Sequence, residues 1–199
     1  MKKILIAALL SLFGGTAALT AQERPLKEPR VRFGAGYRYS FALTESYGVK
    51  TPVMTRSNWG EPYRRRGGML SLEGTVRITP HWNAGLGFGF AGLSENKTFA
   101  IYGKAERLYG MRRSRWFNYA QLGITAYPDN GAGGLAALGG GYRLALTRRT
   151  RMDFTLGLEW ANIVGSAYGY IAEEDVVRHY PRGGRYNRIG LTLGVAMHF

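Results

Sequence analysis

The chain has 199 residues, no cysteine, 29 glycines and a formal charge of +14, from 27 Lys and Arg against 13 Asp and Glu. Without cysteine there is no disulfide framework, no thiolate metal site and no thiol nucleophile. With 45% apolar and 13% aromatic residues, the basic excess is not that of a disordered tail, and the chain is expected to fold.

Residues 1–21 follow the plan of a secretory leader: Lys2 and Lys3, an apolar run over 4–13, a Gly14-Gly15-Thr16 break, then small residues up to Ala21. Cleavage is placed after Ala21, with Ala18 as the alternative. A membrane anchor needs about 18 apolar residues in a row, and the Gly-Gly-Thr break interrupts the run. Residues 22–30 form a short segment that Pro25 and Pro29 keep from becoming a helix, and 31–199 is expected to be one domain.

From residue 31 onward the abundance of glycine, β-branched and aromatic residues disfavours helix, and an alternation of period two takes over. Over 31–41, Val31, Phe33, Ala35, Tyr37, Tyr39 and Phe41 oppose Arg32, Gly34, Gly36, Arg38 and Ser40. Over 68–79, Leu70, Leu72, Val76 and Ile78 oppose Ser71, Glu73, Thr75 and Arg77. Over 82–92, Trp82, Ala84, Leu86, Phe88 and Phe90 oppose Asn83, Gly85, Gly87 and Gly89. The segment 99–109 is the least regular: Phe99, Ile101, Ala105 and Tyr109 face Tyr102, Lys104 and Glu106, but Arg107 falls on the apolar side. Segments 116–126, 138–147 and 151–161 repeat the split, with Gln121, Arg143, Asp153 and Glu159 on their polar sides. In 186–199, Ile189, Leu191, Leu193, Val195, Met197 and Phe199 oppose Arg188, Gly190, Thr192, Gly194 and His198, which completes eight strands.

The connections alternate in length. Those at 77–81, 112–115 and 148–150 are short, 94–98 and 127–135 are intermediate, and 42–67 and 161–185 are long. Tight turns at one end and long loops at the other are the up-and-down plan of an eight-stranded antiparallel transmembrane β-barrel. The competing all-β reading is a soluble secreted barrel with its apolar face inward. The polar face favours the membrane: Arg32, Arg38, Glu73, Arg77, Lys104, Glu106, Arg143, Asp153, Glu159 and Arg188 are expected to pair across a narrow lumen, with glycines making room for them. Outward aromatics near the strand ends, such as Tyr39, Phe41, Trp82, Tyr109, Trp116 and Trp160, suit two interfacial girdles.

On these residues the chain resembles the small eight-stranded outer-membrane barrels of the OmpA/OmpX type. The resemblance implies the outer membrane of a Gram-negative bacterium. It also implies that Phe199, with Met197, Val195, Leu193 and Leu191 at alternate places before it, is the signal read by the outer-membrane assembly machinery.

Candidate chemistry is sparse, and no catalytic, cofactor or metal site is expected. Gly87 to Gly92 fits G-x-G-x-x-G but sits inside an alternating strand with no helix after it. His81, His179 and His198 have no serine two residues away, as a lipid A deacylase would require, and Ser94, Ser114 and Ser166 are distant in sequence. Glu173-Glu174-Asp175 with His179 reads as a solvated acidic loop ahead of a cation site. Arg64, Arg65, Arg66, Arg178, Arg182 and Arg185 are placed on the outer rim, facing lipopolysaccharide phosphates. Arg112, Arg113, Arg115, Arg148, Arg149 and Arg151 are placed in the short turns, facing inner-leaflet phosphates or periplasmic polymers. Tyr47, Trp59, Tyr63, Tyr168, Tyr170 and Tyr180 are candidate anchors for a macromolecular partner at loops 42–67 and 161–185. No nucleic-acid module is recognisable. The functional expectation is a monomeric, non-catalytic outer-membrane barrel that stabilises the membrane or binds at the surface; the alternatives are a narrow solute channel and a lipid A-modifying enzyme.

Overall fold

A strand whose side chains alternate between apolar and ionic has to place its two faces in different surroundings, and a closed sheet does so without leaving an edge. The computed structural model describes residues 29–50, 55–60, 66–93, 96–127, 131–147, 149–171 and 176–199, so the leader and most of segment 22–30 lie outside it. Among these residues nine strands form: β1 Val31–Lys50, β2 Thr55–Gly60, β3 Arg66–Thr79, β4 Trp82–Leu93, β5 Asn96–Leu108, β6 Arg115–Tyr127, β7 Gly131–Ala145, β8 Arg151–Ile171 and β9 Val176–His198. Their order is β2-β1-β3-β4-β5-β6-β7-β8-β9, and β1 also pairs with β9.

β2 and β3 occupy the same edge of β1. β3 pairs with Val31 through Phe41, and β2 with Glu45 through Lys50. The nine segments therefore make an eight-stranded antiparallel barrel in which one position is split. Closure runs from Gly34↔His198 to Val49↔Gly184, with a register shift between Ala42 and Thr44. The Phe199 amide continues it by donating to the Phe33 carbonyl at 2.8 Å.

The two faces are sorted in the sense opposite to a soluble protein. Phe33, Leu72, Phe154 and Leu193 are 69%, 62%, 46% and 49% exposed, so the apolar face does not form a central core. Arg188, Glu106 and Asp153 are buried. An apolar belt of this size around ionic contents is stable against hydrocarbon and unfavourable against water, so the barrel is a transmembrane one. The irregular segment 99–109 keeps the predicted register: Lys104 and Glu106 point inward and Arg107 outward.

Three expectations need correction. The stretches 42–67 and 161–185 are not simply loops: β1 runs on to Lys50, β2 follows, and β8 and β9 pair as far as Ile171↔Val176. Outside the belt no hydrocarbon sorts the two faces, so the alternation that marks a strand is lost there. β7 begins at Gly131, earlier than 138, within a glycine-rich run that carries few side chains to show a period. Arg115 and Arg151 are not turn residues either; they open β6 and β8 and are buried. Of the remaining turn arginines, Arg112 and Arg149 are exposed, Arg113 is half-buried and Arg148 lies outside the described residues.

Leu122 is 71% exposed and pairs with Gly103, at mid-height of the belt. Leu122→Arg is expected to cost about 2–4 kcal/mol and Trp116→Arg, at the rim, about 0–1 kcal/mol, in equilibrium unfolding from lipid vesicles. Equal costs at the two heights would contradict the assigned belt.

Candidate functional site: the plugged lumen

The interior is set by register. Glu73 on β3, Gly87 on β4 and Tyr102 on β5 are successive partners in one row across the sheet. The Tyr102 ring lies where a Cβ on Gly87 would be, and only a glycine there lets the hydroxyl cross β4 and donate to Glu73 Oε1 at 2.8 Å. Tyr119 likewise lies over Gly139 and Gly157, and Phe117 over Gly141. Met69 lies over Gly89. The lumen glycines thus make room chiefly for aromatic rings and a methionine, rather than for the long charged side chains expected. The same geometry disposes of the G-x-G-x-x-G match, whose residues all lie in β4.

The ions join into one chain. Lys104 Nζ is 2.6 Å from Glu73 Oε2 and 3.0 Å from Glu106 Oε1. Glu106 Oε2 accepts from Asn83 Nδ2 and Arg143 Nη2, both at 3.0 Å. Arg143 grips Asp153 with two bonds, Nε to Oδ1 at 2.8 Å and Nη2 to Oδ2 at 2.6 Å. His198 Nε2 lies 3.2 Å from the same Asp153 Oδ2. On the other side Arg38 reaches Glu159 at 3.2 Å and donates to Gln121 Oε1. Gln121 Nε2 donates to Glu73 Oε1 at 3.5 Å, which links the two halves. Higher up, Arg188 Nη2 donates to the Ser40 carbonyl at 3.1 Å and Arg188 Nε lies 3.8 Å from Glu45.

Of the ten residues expected in the lumen, seven are joined by these contacts, and Arg188 pairs higher up with Glu45 and the Ser40 carbonyl. Arg32 is buried on β1, and Arg77 is half-buried on β3 opposite Asn83. Asn83, Tyr102, Gln121 and His198 belong to that chain and Glu45 to the Arg188 pair, and none of the five was named among the expected lumen ion pairs. Period two places the first four on the polar faces, but only register shows which of them touch. Among the described residues the interior holds cavities of about 10 and 40 Å³, the larger bordered by Arg38, Glu73, Lys104, Gln121 and Asp153. About 10–15 Å³ holds one water molecule, so these have space for a few waters.

The other candidates are dispersed. His81 sits in the β3–β4 turn, with Nδ1 3.3 Å from the Leu108 carbonyl. Ser114 Oγ accepts from the Ala145 amide. Glu173, Glu174 and Asp175 lie outside the described residues, among which no metal-binding cluster of His, Asp or Glu occurs. Arg64 and Arg65 also lie outside; Arg66 opens β3, while Arg178, Arg182 and Arg185 lie on the prolonged part of β9. Leu191, Leu193, Val195, Met197 and Phe199 follow one another on the outward side of the last strand.

No family profile and no curated protein sequence matches the chain. Solved structures similar to it include Neisserial surface protein A, at 12% identity and TM-score 0.44 over 84% of this chain and 96% of that one. OprG from Pseudomonas aeruginosa shows 9% identity and TM-score 0.49 over 85% and 95%. The outer membrane protease OmpT from Escherichia coli shows 7% identity and TM-score 0.44 over 84% and 96%. At such identities no residue role passes from those proteins to this chain.

Arg143→Leu leaves Glu106 and Asp153 buried beside fewer cations and is expected to destabilise the barrel by about 3–5 kcal/mol in urea titration. Gly87→Val sets a side chain against the Tyr102 ring and is expected to cost about 1–3 kcal/mol. Gly92, with open space about its Cα, is the control: Gly92→Ala should leave stability within about 0.5 kcal/mol.

Proposed function

We propose that this is a non-catalytic outer-membrane protein in which the barrel is a closed pedestal and the prolonged strands carry the activity, by binding lipopolysaccharide or a macromolecular partner outside the membrane. The observation that carries this reading is the contrast between the two parts. Among the described residues the lumen is occupied by ion pairs and rings, between which lie cavities of about 10 and 40 Å³. Meanwhile β2, β1, β9 and β8 continue as adjacent paired strands beyond the belt. A filled barrel offers no conduction path, whereas paired strands outside the membrane hold a surface in fixed shape.

Arg66 and Arg185 lie on β3 and β9, the strands on either side of β1, and Arg178 and Arg182 follow farther along β9. Arginine offers a planar fork matched to phosphate oxygens, which supports lipopolysaccharide as one occupant. The outward run ending at Phe199 supports delivery by the outer-membrane assembly machinery, and the leader pattern of residues 1–21 supports export.

The test is crosslinking in cells from positions 47, 59, 168 and 180. A lipid or protein should be captured, with capture from positions 168 and 180 lost when residues 47–58 are replaced by a tight turn, and capture from 47 and 59 lost when residues 166–182 are, in a barrel that still folds. Purified protein should give no steady conductance in planar bilayers, and lipid A mass spectra should be the same with and without the chain. Steady current, an altered acyl pattern, or undiminished capture by the shortened barrel would each overturn the reading.

A further inference from the structure

Among the strand residues whose side chains are described, Arg107 is the charged one on the outward face of the barrel. It is the second-last residue of β5 and pairs with Trp82, the first of β4, so it stands at the rim on the short-turn side. A charge on the lipid face is costly at mid-membrane and nearly neutral near the interface, so its height makes it tolerable without explaining its presence.

The surroundings are organised. The guanidinium carbon lies 6.0 Å from the centre of the Trp82 ring and 5.5 Å from that of Tyr109. A guanidinium held near aromatic rings by cation–π attraction spends no N–H donor on them, which leaves its fork for an anion. Asn118 is the register partner of Arg107 on β6, and its Nδ2 donates to the Tyr109 hydroxyl at 2.9 Å. Trp116 and Tyr142 form an edge-to-face pair at 5.0 Å in the same girdle, which marks headgroup depth. The adjoining 109–114 turn holds Arg112 and Arg113 and no acidic residue, while the nearest carboxylate in sequence, Glu106, is turned inward onto Lys104 and Arg143.

We infer that Trp82, Arg107, Tyr109 and Asn118 form a site for the phosphate of an anionic phospholipid in the leaflet at the short-turn end. The chemistry selects this class. At headgroup depth on the lipid side, the abundant anion is a phosphodiester, and its two free oxygens match the guanidinium fork. A net negative lipid such as phosphatidylglycerol presents that phosphate without the cationic amine that competes for it in zwitterionic lipids. A free anion or soluble polymer would instead meet the turn arginines, Arg112 and Arg149, which project beyond the girdle. The inference requires the barrel to span a membrane and is independent of what the outer strands bind.

The test is native mass spectrometry of the full folded chain released from detergent with phosphatidylglycerol or phosphatidylcholine, folding being checked by heat-modifiable gel migration. Wild type should retain phosphatidylglycerol in preference to phosphatidylcholine. Arg107→Gln should weaken phosphatidylglycerol retention about tenfold, the loss of one charge-assisted pair. Trp82→Leu, which removes one supporting ring, should weaken it several-fold and carries the test if Arg107→Gln does not fold. Arg112→Gln should leave it within about twofold. Retention by both Arg107→Gln and Trp82→Leu at the wild-type level overturns the proposal. So does displacement of the lipid by millimolar inorganic phosphate, which would assign the site to a free anion.

Discussion

Everything in this structure follows from the need to satisfy backbone N–H and C=O groups where there is no water. In hydrocarbon each unpaired group costs several kcal/mol, so a sheet must close on itself. Here β1 serves that purpose on both sides, pairing with β3 and β2 along one edge and with β9 along the other. Eight positions round a closed sheet give a bore about as wide as the side chains that fill it. Diameter, in turn, leaves the inward face little choice: it has to be occupied by groups that neutralise and hydrogen-bond one another.

That requirement accounts for the pairing of glycines with large residues. In the row Glu73, Gly87, Tyr102, the middle strand contributes no side chain so that its neighbours can meet above it. Arg143 holds Asp153 through two bonds and Glu106 through a third. A buried ion pair of this kind is not in itself a source of net stability, since desolvation offsets much of the attraction. Its structural effect is specificity: the chain of contacts from Arg38 to His198 is complete only when β1 and β3 through β9 are in one register.

The architecture was legible because lipid imposes a period of two on every spanning strand, and segments such as 31–41 and 151–161 show it plainly. Even Arg107, the apparent exception in 99–109, fell on its proper face. What sequence did not reveal lies where that pressure is absent. Past Ala42 and Ala161 the strands continue outside the belt, and in 131–134 glycine and alanine carry too little side chain to display a pattern. Within the lumen, period two separated inward from outward residues, but Glu73 and Tyr102 are 29 positions apart and meet only through the alignment of three strands. Composition contains no record of that alignment.

The seam between β1 and β9 has a consequence for how the molecule comes into being. Gly34 and His198 are separated by nearly the whole folded chain, yet they are neighbours. Seven of the eight joints link strands that follow one another and can zip locally; the eighth waits for the final strand to be synthesised and brought round. Until then two ribbons stand with open edges, competent to pair with any other extended chain. Closure is therefore a single late event of high contact order, and a cell making this protein has to keep those edges apart from its neighbours for the whole interval.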